Sequence, residues 1–264
     1  MPAPSLRQSG PCRTRGYGAI APSATAFTLI ELLVTLGITM LLLGLLMPAV
    51  RAAREQANRI ECSSNLHQIG LGIAMYGSSN DDRLPETVYA RGAGLPSEMI
   101  AANVVMADSL PPGLGAEQVF QNEEGWRWDG LGILAGRLNY VAPRTLYCPS
   151  HHGEHTFERY EQAWNAGGQL KIVLNYHYCG DIDRERGTHR KLWMNPRAAI
   201  VADGMREVTD VNHTCGCCTL HADGSTGWWY DDQARLATPR ESFTLGGEQA
   251  AQWYASFWAD LSSD

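Results

Sequence analysis

From Phe27 to Val50 the chain sets 24 residues in a row with a single charge, Glu31. At about 1.5 Å of rise per residue a helix of that length spans roughly 36 Å. The hydrocarbon core of a bilayer is about 30 Å thick, so the run predicts a membrane-spanning helix over 27–50. Beyond it the pattern changes. Arg51, Arg54, Glu55, Gln56, Arg59 and Glu61 are interspersed with an apolar series, Cys62, Leu66, Ile69, Ile73 and Tyr76, at spacings of four and three. Such spacing marks one face of a helix. The helix is therefore expected to continue over 51–76, with its apolar face under a head and its charges in water. In the head, 77–264, Thr145–Cys148, Ile172–Tyr178 and Ala198–Ala202 read as strands bounded by turn residues. Thr219–Ala222 and Ser225–Tyr230 flank Asp223-Gly224, a two-residue turn signal, and predict a hairpin. Pro85, Pro96, Pro111 and Pro112, with several glycines, mark 81–125 as an irregular, variable insertion. Ala250, Tyr254, Phe257, Trp258 and Leu261 predict a short C-terminal helix packed on the head. The expected class is α+β: a long N-terminal helix packed on a β-rich, mainly antiparallel head.

Composition narrows this little. Of 264 residues 44% are hydrophobic and 19% charged, which is ordinary for a globular chain and excludes a disordered or collagen-like one. The net charge of −7 argues against nucleic acid as a partner. Charge distribution says more. Residues 1–26 carry Arg7, Arg13 and Arg15 and no acid, so this flank is expected in the cytoplasm. That makes a single-pass protein of the inner (cytoplasmic) membrane with its head extracytoplasmic or periplasmic. A cleaved secretory signal has an apolar core of about 7–15 residues and a small-x-small cleavage site; neither is present. An ordinary anchor leaves Glu31 unexplained, since a charge in the bilayer costs about 2.5–3.5 kcal/mol on insertion scales.

Ala26-Phe27-Thr28-Leu29-Ile30-Glu31-Leu32-Leu33-Val34 resembles the class III signal of type IV prepilins and type II secretion pseudopilins. The resemblance implies that a prepilin peptidase cuts between Ala26 and Phe27 and methylates the new amine. Phe27 would then carry an ammonium four residues before Glu31, a spacing that meets on a helix. In filaments of this kind the carboxylate instead meets the amine of a neighbouring subunit; either way the buried charge gains a partner. Gly44 and Pro48 fit a helix that softens on packing. Further segments agree in order: Arg51-Ala-Ala-Arg-Glu55, Cys62 to Gly72, Asn80 to Pro85, Trp128 to Gly132, Tyr147-Cys-Pro-Ser150, Leu174 to Tyr178 and Ile200 to Gly204. Last comes His213, nine residues, then Asp223-Gly224. Together these are similar to a bacterial prepilin-like family marked by that histidine and Asp-Gly pair. The resemblance implies a leader over 1–26, a transmembrane helix over 27–50, its continuation over 51–76 and a pilin-like head over 77–264. The subunit would assemble into a type II secretion or type IV pilus-like filament, with the peptidase, the membrane and other pilin-like subunits, met through the N-terminal helix, as partners. The head exceeds the size expected of a major pseudopilin, which favours a minor or specialised subunit. The competing reading is an uncut, membrane-anchored extracytoplasmic binding protein with a Cys/His metal or partner site.

Candidate chemistry is confined to the head. Asp223-Gly224 makes a turn, and His213 is read as a hydrogen-bonding partner of a neighbouring strand, with a ligand or assembly contact as the alternative. Cys148-x-x-His151 has the spacing of a zinc half-site and Cys215-x-Cys217 that of a shorter one; the two would close a site only if the fold joined them. Disulfides compete: six cysteines follow the leader (62, 148, 179, 215, 217 and 218), and six allow 15 pairings. Asp181, Asp183 and Glu185 alternate as in a calcium loop, though Gly187 falls one place late. Gly130-Leu-Gly132-Ile-Leu-Ala135 matches a dinucleotide-binding string without a preceding strand. There is no P-loop and no nucleophile elbow, and no base is paired with a nucleophile. The expectation is a protein that is not an enzyme and requires no cofactor, with zinc or calcium as the ions its head could hold.

Overall fold

Helix α1 runs from Leu29 to Ser79, 51 residues with Pro48 inside. It belongs to a computed structural model that describes residues 27–87, 98–102, 128–168, 170–180, 182–183, 188–204, 211–213, 215–232, 236 and 256–262. The chain divides into two compact units, one ending at Val50 and one beginning at Arg51.

In the first unit the helix opens on a reciprocal cap. The Thr28 N–H and Oγ donate to Glu31 Oε2 at 2.9 and 2.7 Å, and the Glu31 N–H donates to Thr28 Oγ at 3.3 Å. This capping box satisfies donors that the first turn leaves without intrahelical acceptors. The segment is long and apolar enough to cross a membrane. Its large apolar side chains are exposed on every side, from Phe27 at 73% to Val50 at 56%.

The second unit is α+β. The rest of α1 buries Cys62, Leu66, Ile69 and Ile73, the face its periodicity predicts. Among the described residues five strands form one sheet, lying side by side in the order of the sequence with every neighbouring pair antiparallel. They are β1 (Glu98–Ala102), β2 (Ile172–Tyr178), β5 (Ala199–Asp203), β6 (Gly216–His221) and β7 (Thr226–Tyr230). Two short strands, β3 (Ile182–Asp183) and β4 (Thr188–His189), pair separately. Strands β2 and β5 are buried along their whole length, because both faces of the sheet are covered. Leu220 of β6 meets α1 at Gly70. On the other face a short helix over 256–261 brings Phe257 against Trp229, ring centroids 5.0 Å apart, and the Ala199 N–H donates to Ser262 Oγ. Phe257, Trp258 and Leu261 are buried, as their spacing predicts; Ala250 and Tyr254 lie outside the described residues.

Three local expectations are corrected, and one helix is added. Thr145–Cys148 is not a strand: Pro143–Leu146 is a 3₁₀ turn with Pro143 at its start, where a fixed φ and a missing N–H are tolerated. The segment 81–125 supplies edge strand β1, paired with β2. The added helix is α2 (Phe157–Asn165), whose Ala163 and Trp164 are buried. The β6–β7 hairpin turns through three residues rather than two. The His221 N–H donates to Ser225 O at 2.8 Å and the Gly224 N–H to His221 O at 2.9 Å, with Gly224 left-handed at φ 84°. That is a type I turn followed by an αL glycine.

The dinucleotide-like string is a packing device. A Cβ on Gly132 would lie 2.0 Å from Ala101 O. The glycine lets the 128–132 turn rest on the backbone of β1, where the Asp129 N–H donates to Ala101 O at 2.9 Å.

Candidate metal centre

Four segments of the second unit deliver side chains to one buried point. Cys62 comes from the apolar face of α1, Cys148 from the turn after the 3₁₀ segment, Asp203 from the end of β5, and His213 from the stretch before β6. One ligand atom from each lies within 4.8 Å of all the others, and all four residues are buried. The Cys62 Sγ donates to Asp203 Oδ1 at 3.2 Å and touches Tyr176 Oη at 3.3 Å. The Cys148 Sγ is 3.4 Å from His213 Nε2, and that nitrogen is 3.6 Å from Asp203 Oδ2.

A second layer fixes these groups. His213 Nδ1 is 2.7 Å from Glu55 Oε1, which leaves Nε2 for the cluster. Glu55 in turn accepts from Arg59 Nε at 3.1 Å and from Ser150 Oγ at 3.2 Å. The Arg59 guanidinium lies 3.9 Å over the Trp228 ring, which stands at 75° to the His213 ring with centroids 5.3 Å apart. Asp203 Oδ1 also accepts from Asn212 Nδ2 at 3.0 Å, and Oδ2 from the Cys218 N–H at 2.5 Å.

The cluster gathers acidic protons around one imidazole. Burial alone lowers the His213 pKa, but the Cys148 and Cys218 thiols and the Asp203 carboxylate outweigh it and push it up to about 11. Burial drives the Cys62 thiol well up, with the Cys148 and Cys218 thiols and Asp203 adding to the rise. Cys218 moves down, chiefly because the Cys62 thiol hydrogen-bonds to it. Burial also works against the Glu55 carboxylate, yet its bonds from His213, Arg59 and Ser150 hold it below the usual range. The site thus favours a positive charge at its centre.

Of the zinc quartet suggested by spacing, Cys148 alone joins this cluster. His151 is buried with both nitrogens engaged: Nδ1 lies 2.7 Å from Asn212 Oδ1, and Nε2 accepts the His155 N–H at 3.2 Å. Cys215 is exposed. Cys217 is paired with Trp229, and strand alternation puts it on the sheet face opposite Cys218. The six described cysteines are all free thiols. The motif His213…Asp223-Gly224 divides: the histidine enters the cluster and the Asp-Gly pair forms the hairpin turn, Asp223 Oδ1 accepting from Ser225 N and Oγ at 2.8 and 2.6 Å. Ala26, Asp181, Glu185 and Gly187 lie outside the described residues, whereas Phe27 and Glu31 sit at the start of α1. Sequence reasoning missed Glu55, Arg59 and Asp203. The first two were assigned to the wet face, although 55, 59, 62 and 66 fall on one helical stripe.

Beside the cluster a cleft of about 880 Å³ opens, lined by Arg51, Arg54, Arg144, His151 and His152 and reaching Glu55 and Cys148.

The family model described as "Protein of unknown function (DUF1559)" matches residues 51–205. No curated protein and no solved structure matches the chain.

Proposed function

The chain belongs to the DUF1559 family, and we propose that it is a prepilin-like structural subunit of a type II secretion or type IV pilus-like filament. One observation carries this reading. Immediately after the Ala26–Phe27 bond a helix begins on a Thr28–Glu31 capping pair and continues with every large apolar side chain to Val50 exposed. A bare apolar cylinder of this length needs lipid or other helices around it. Prepilin peptidase cuts before Phe27, and residues 1–26 remain with the cytoplasmic leaflet. The new Phe27 ammonium lies one residue from the Thr28 N–H that Glu31 already accepts. The carboxylate can therefore exchange its own cap for the amine of a neighbouring subunit, which fixes the register of packing. Loss of three arginines with the leader moves the net charge from −7 to −10, which opposes a DNA-handling role. The head stands outside the cytoplasm, and the protein is not an enzyme.

N-terminal sequencing and intact mass of the protein from native membranes test this. A chain beginning at N-methylated Phe27 is expected; one beginning at Met1 overturns the reading. Glu31→Ala should still be cut but should not assemble. The cleft with its arginines and histidines favours a second reading, an uncut anchored protein that binds an acidic ligand. Retention of residues 1–26 would select it.

A further inference from the structure

We propose that Cys62, Cys148, Asp203 and His213 bind one zinc ion, with Glu55 as the positioning residue for His213. This goes beyond the filament reading and does not depend on it.

Geometry is the first argument. Zinc holds sulfur at about 2.3 Å and nitrogen or oxygen at about 2.0–2.2 Å in a tetrahedron, so its ligand atoms stand about 3.3–3.8 Å apart. The separations of 3.4 Å for Cys148 Sγ to His213 Nε2 and 3.6 Å for His213 Nε2 to Asp203 Oδ2 fit such edges, and Cys62 Sγ stands 3.2 Å from the other oxygen of the carboxylate, Oδ1. All four atoms converge within 4.8 Å. The widest separation exceeds such an edge by at most about 1 Å, so an ion would draw the four side chains together.

Donor chemistry is the second. Two thiols, one imidazole and one carboxylate form a set that suits zinc, whereas calcium and magnesium take oxygen alone. On binding, each cysteine forms a Zn–S bond and gives up its thiol proton to solvent, and the His213 imidazolium releases its Nε2 proton to solvent as well, coordinating through Nε2 while Nδ1–H stays on Glu55. The third argument is the outer layer. A metal-bound histidine characteristically gives its other ring N–H to a carboxylate, and His213 Nδ1 stands 2.7 Å from Glu55 Oε1. Burial of all four ligands marks a closed, structural site. Cys218 flanks the site through its N–H on Asp203 Oδ2 and through a thiol bonded to that of Cys62, and it is not one of the four.

The test uses the full chain purified in detergent without chelator. Mass spectrometry for metals should find about one zinc per chain. Cobalt exchanged for zinc should show the visible bands of a tetrahedral ion and a thiolate charge-transfer band. Cys62→Ser and Cys148→Ser should abolish both signals, whereas Cys215→Ser should leave them unchanged. Glu55→Gln, on a side chain 30% exposed, should fold, keep one zinc at saturation, and weaken affinity about 10–100-fold with an altered cobalt spectrum. A protein that takes up no zinc overturns the proposal, as does one whose denatured, unreduced mass is two hydrogens short with Cys62 linked to Cys148. Full zinc content in Cys62→Ser overturns it as well.

Discussion

Gly132→Ala discriminates between a glycine that approaches a ligand and one that approaches protein. The added Cβ would stand 2.0 Å from Ala101 O, 2.6 Å from its carbonyl carbon and 2.7 Å from its Cα. An ordinary C···O contact is about 3.3–3.6 Å, so the two backbones must separate by more than about 1 Å. None of the obstructing atoms belongs to a flexible side chain. The carbonyl in the way accepts the Asp129 N–H at 2.9 Å, and its strand is held to β2 through Ile100↔Val173 and Ala102↔Ile172. Separation leaves a buried amide unpaired, at about 1–3 kcal/mol, and strains a close-packed contact, at about 1–3 kcal/mol. The expected loss is about 2–6 kcal/mol. Urea unfolding of the detergent-solubilised chain, followed by tryptophan fluorescence, measures it at unchanged slope. Gly167→Ala is the control: φ is +71° with no atom within 4 Å of the new Cβ, so only backbone strain of about 1–2 kcal/mol remains. If Gly132→Ala loses no more than Gly167→Ala, the packing account of this string is wrong.

Leu66→Ala, at a fully buried site on α1, should cost about 2.7–5 kcal/mol in the same assay. Ile60→Ala, 73% exposed, should stay within about 0.5 kcal/mol; equal losses would deny that α1 packs through the Cys62–Ile73 face. Gly224→Ala meets open space but keeps φ 84°, so it should lose about 1–2 kcal/mol and Gly224→Asn less; the order of the two midpoints decides. Hydrogen bonds from the Ser225 side chain and then its backbone hold the Asp223 carboxyl below its ordinary value of 3.8. The stabilisation from a lowered carboxyl is present above the unfolded value and lost as pH falls through the folded one. Asp223→Asn should therefore flatten the pH dependence of stability below about pH 4, and an unchanged acid limb would refute the assignment.

What the sequence made legible was what repeats locally. An apolar run of 24 residues is a matter of composition, and Cys62, Leu66, Ile69 and Ile73 announce themselves by period. The same period, carried backwards, places Glu55 and Arg59 on that face; charge concealed them, because a charged helix position is normally wet and here is turned onto a buried histidine. The cluster itself was illegible for a different reason. Its members come from four segments, and only the pairing of β2, β5 and β6 brings them together, while spacing rules find partners close in sequence. Those rules joined Cys148 to His151 and Cys215 to Cys217, and strand alternation then sent Cys217 to the opposite face from Cys218. His213 and Asp223-Gly224 form one motif in sequence but do two jobs: strand β6 lies between them, so its two ends reach the core and the hairpin turn.

The cluster also answers a question that apolar packing leaves open. Leu66, Ile69 and Ile73 present a face that nearly repeats every turn, so a slide of about 5.4 Å along α1 would set similar side chains on the same sheet. Polar partners are not interchangeable in this way. Cys62 reaches Asp203, and Glu55 reaches His213, in one register only, and any slide would leave Asp203 and His213 buried without them. Buried polar groups are best attested in this role of fixing register. Cys62→Leu separates the two contributions. In zinc-free protein it keeps the position apolar, adds volume and removes the directional contact, so stability should fall by about 1–3 kcal/mol while the uniqueness of packing falls. Amide hydrogen exchange over residues 51–79 and along β6 should then resolve into two populations. A single, uniformly protected population in Cys62→Leu would show that the apolar face sets the register by itself.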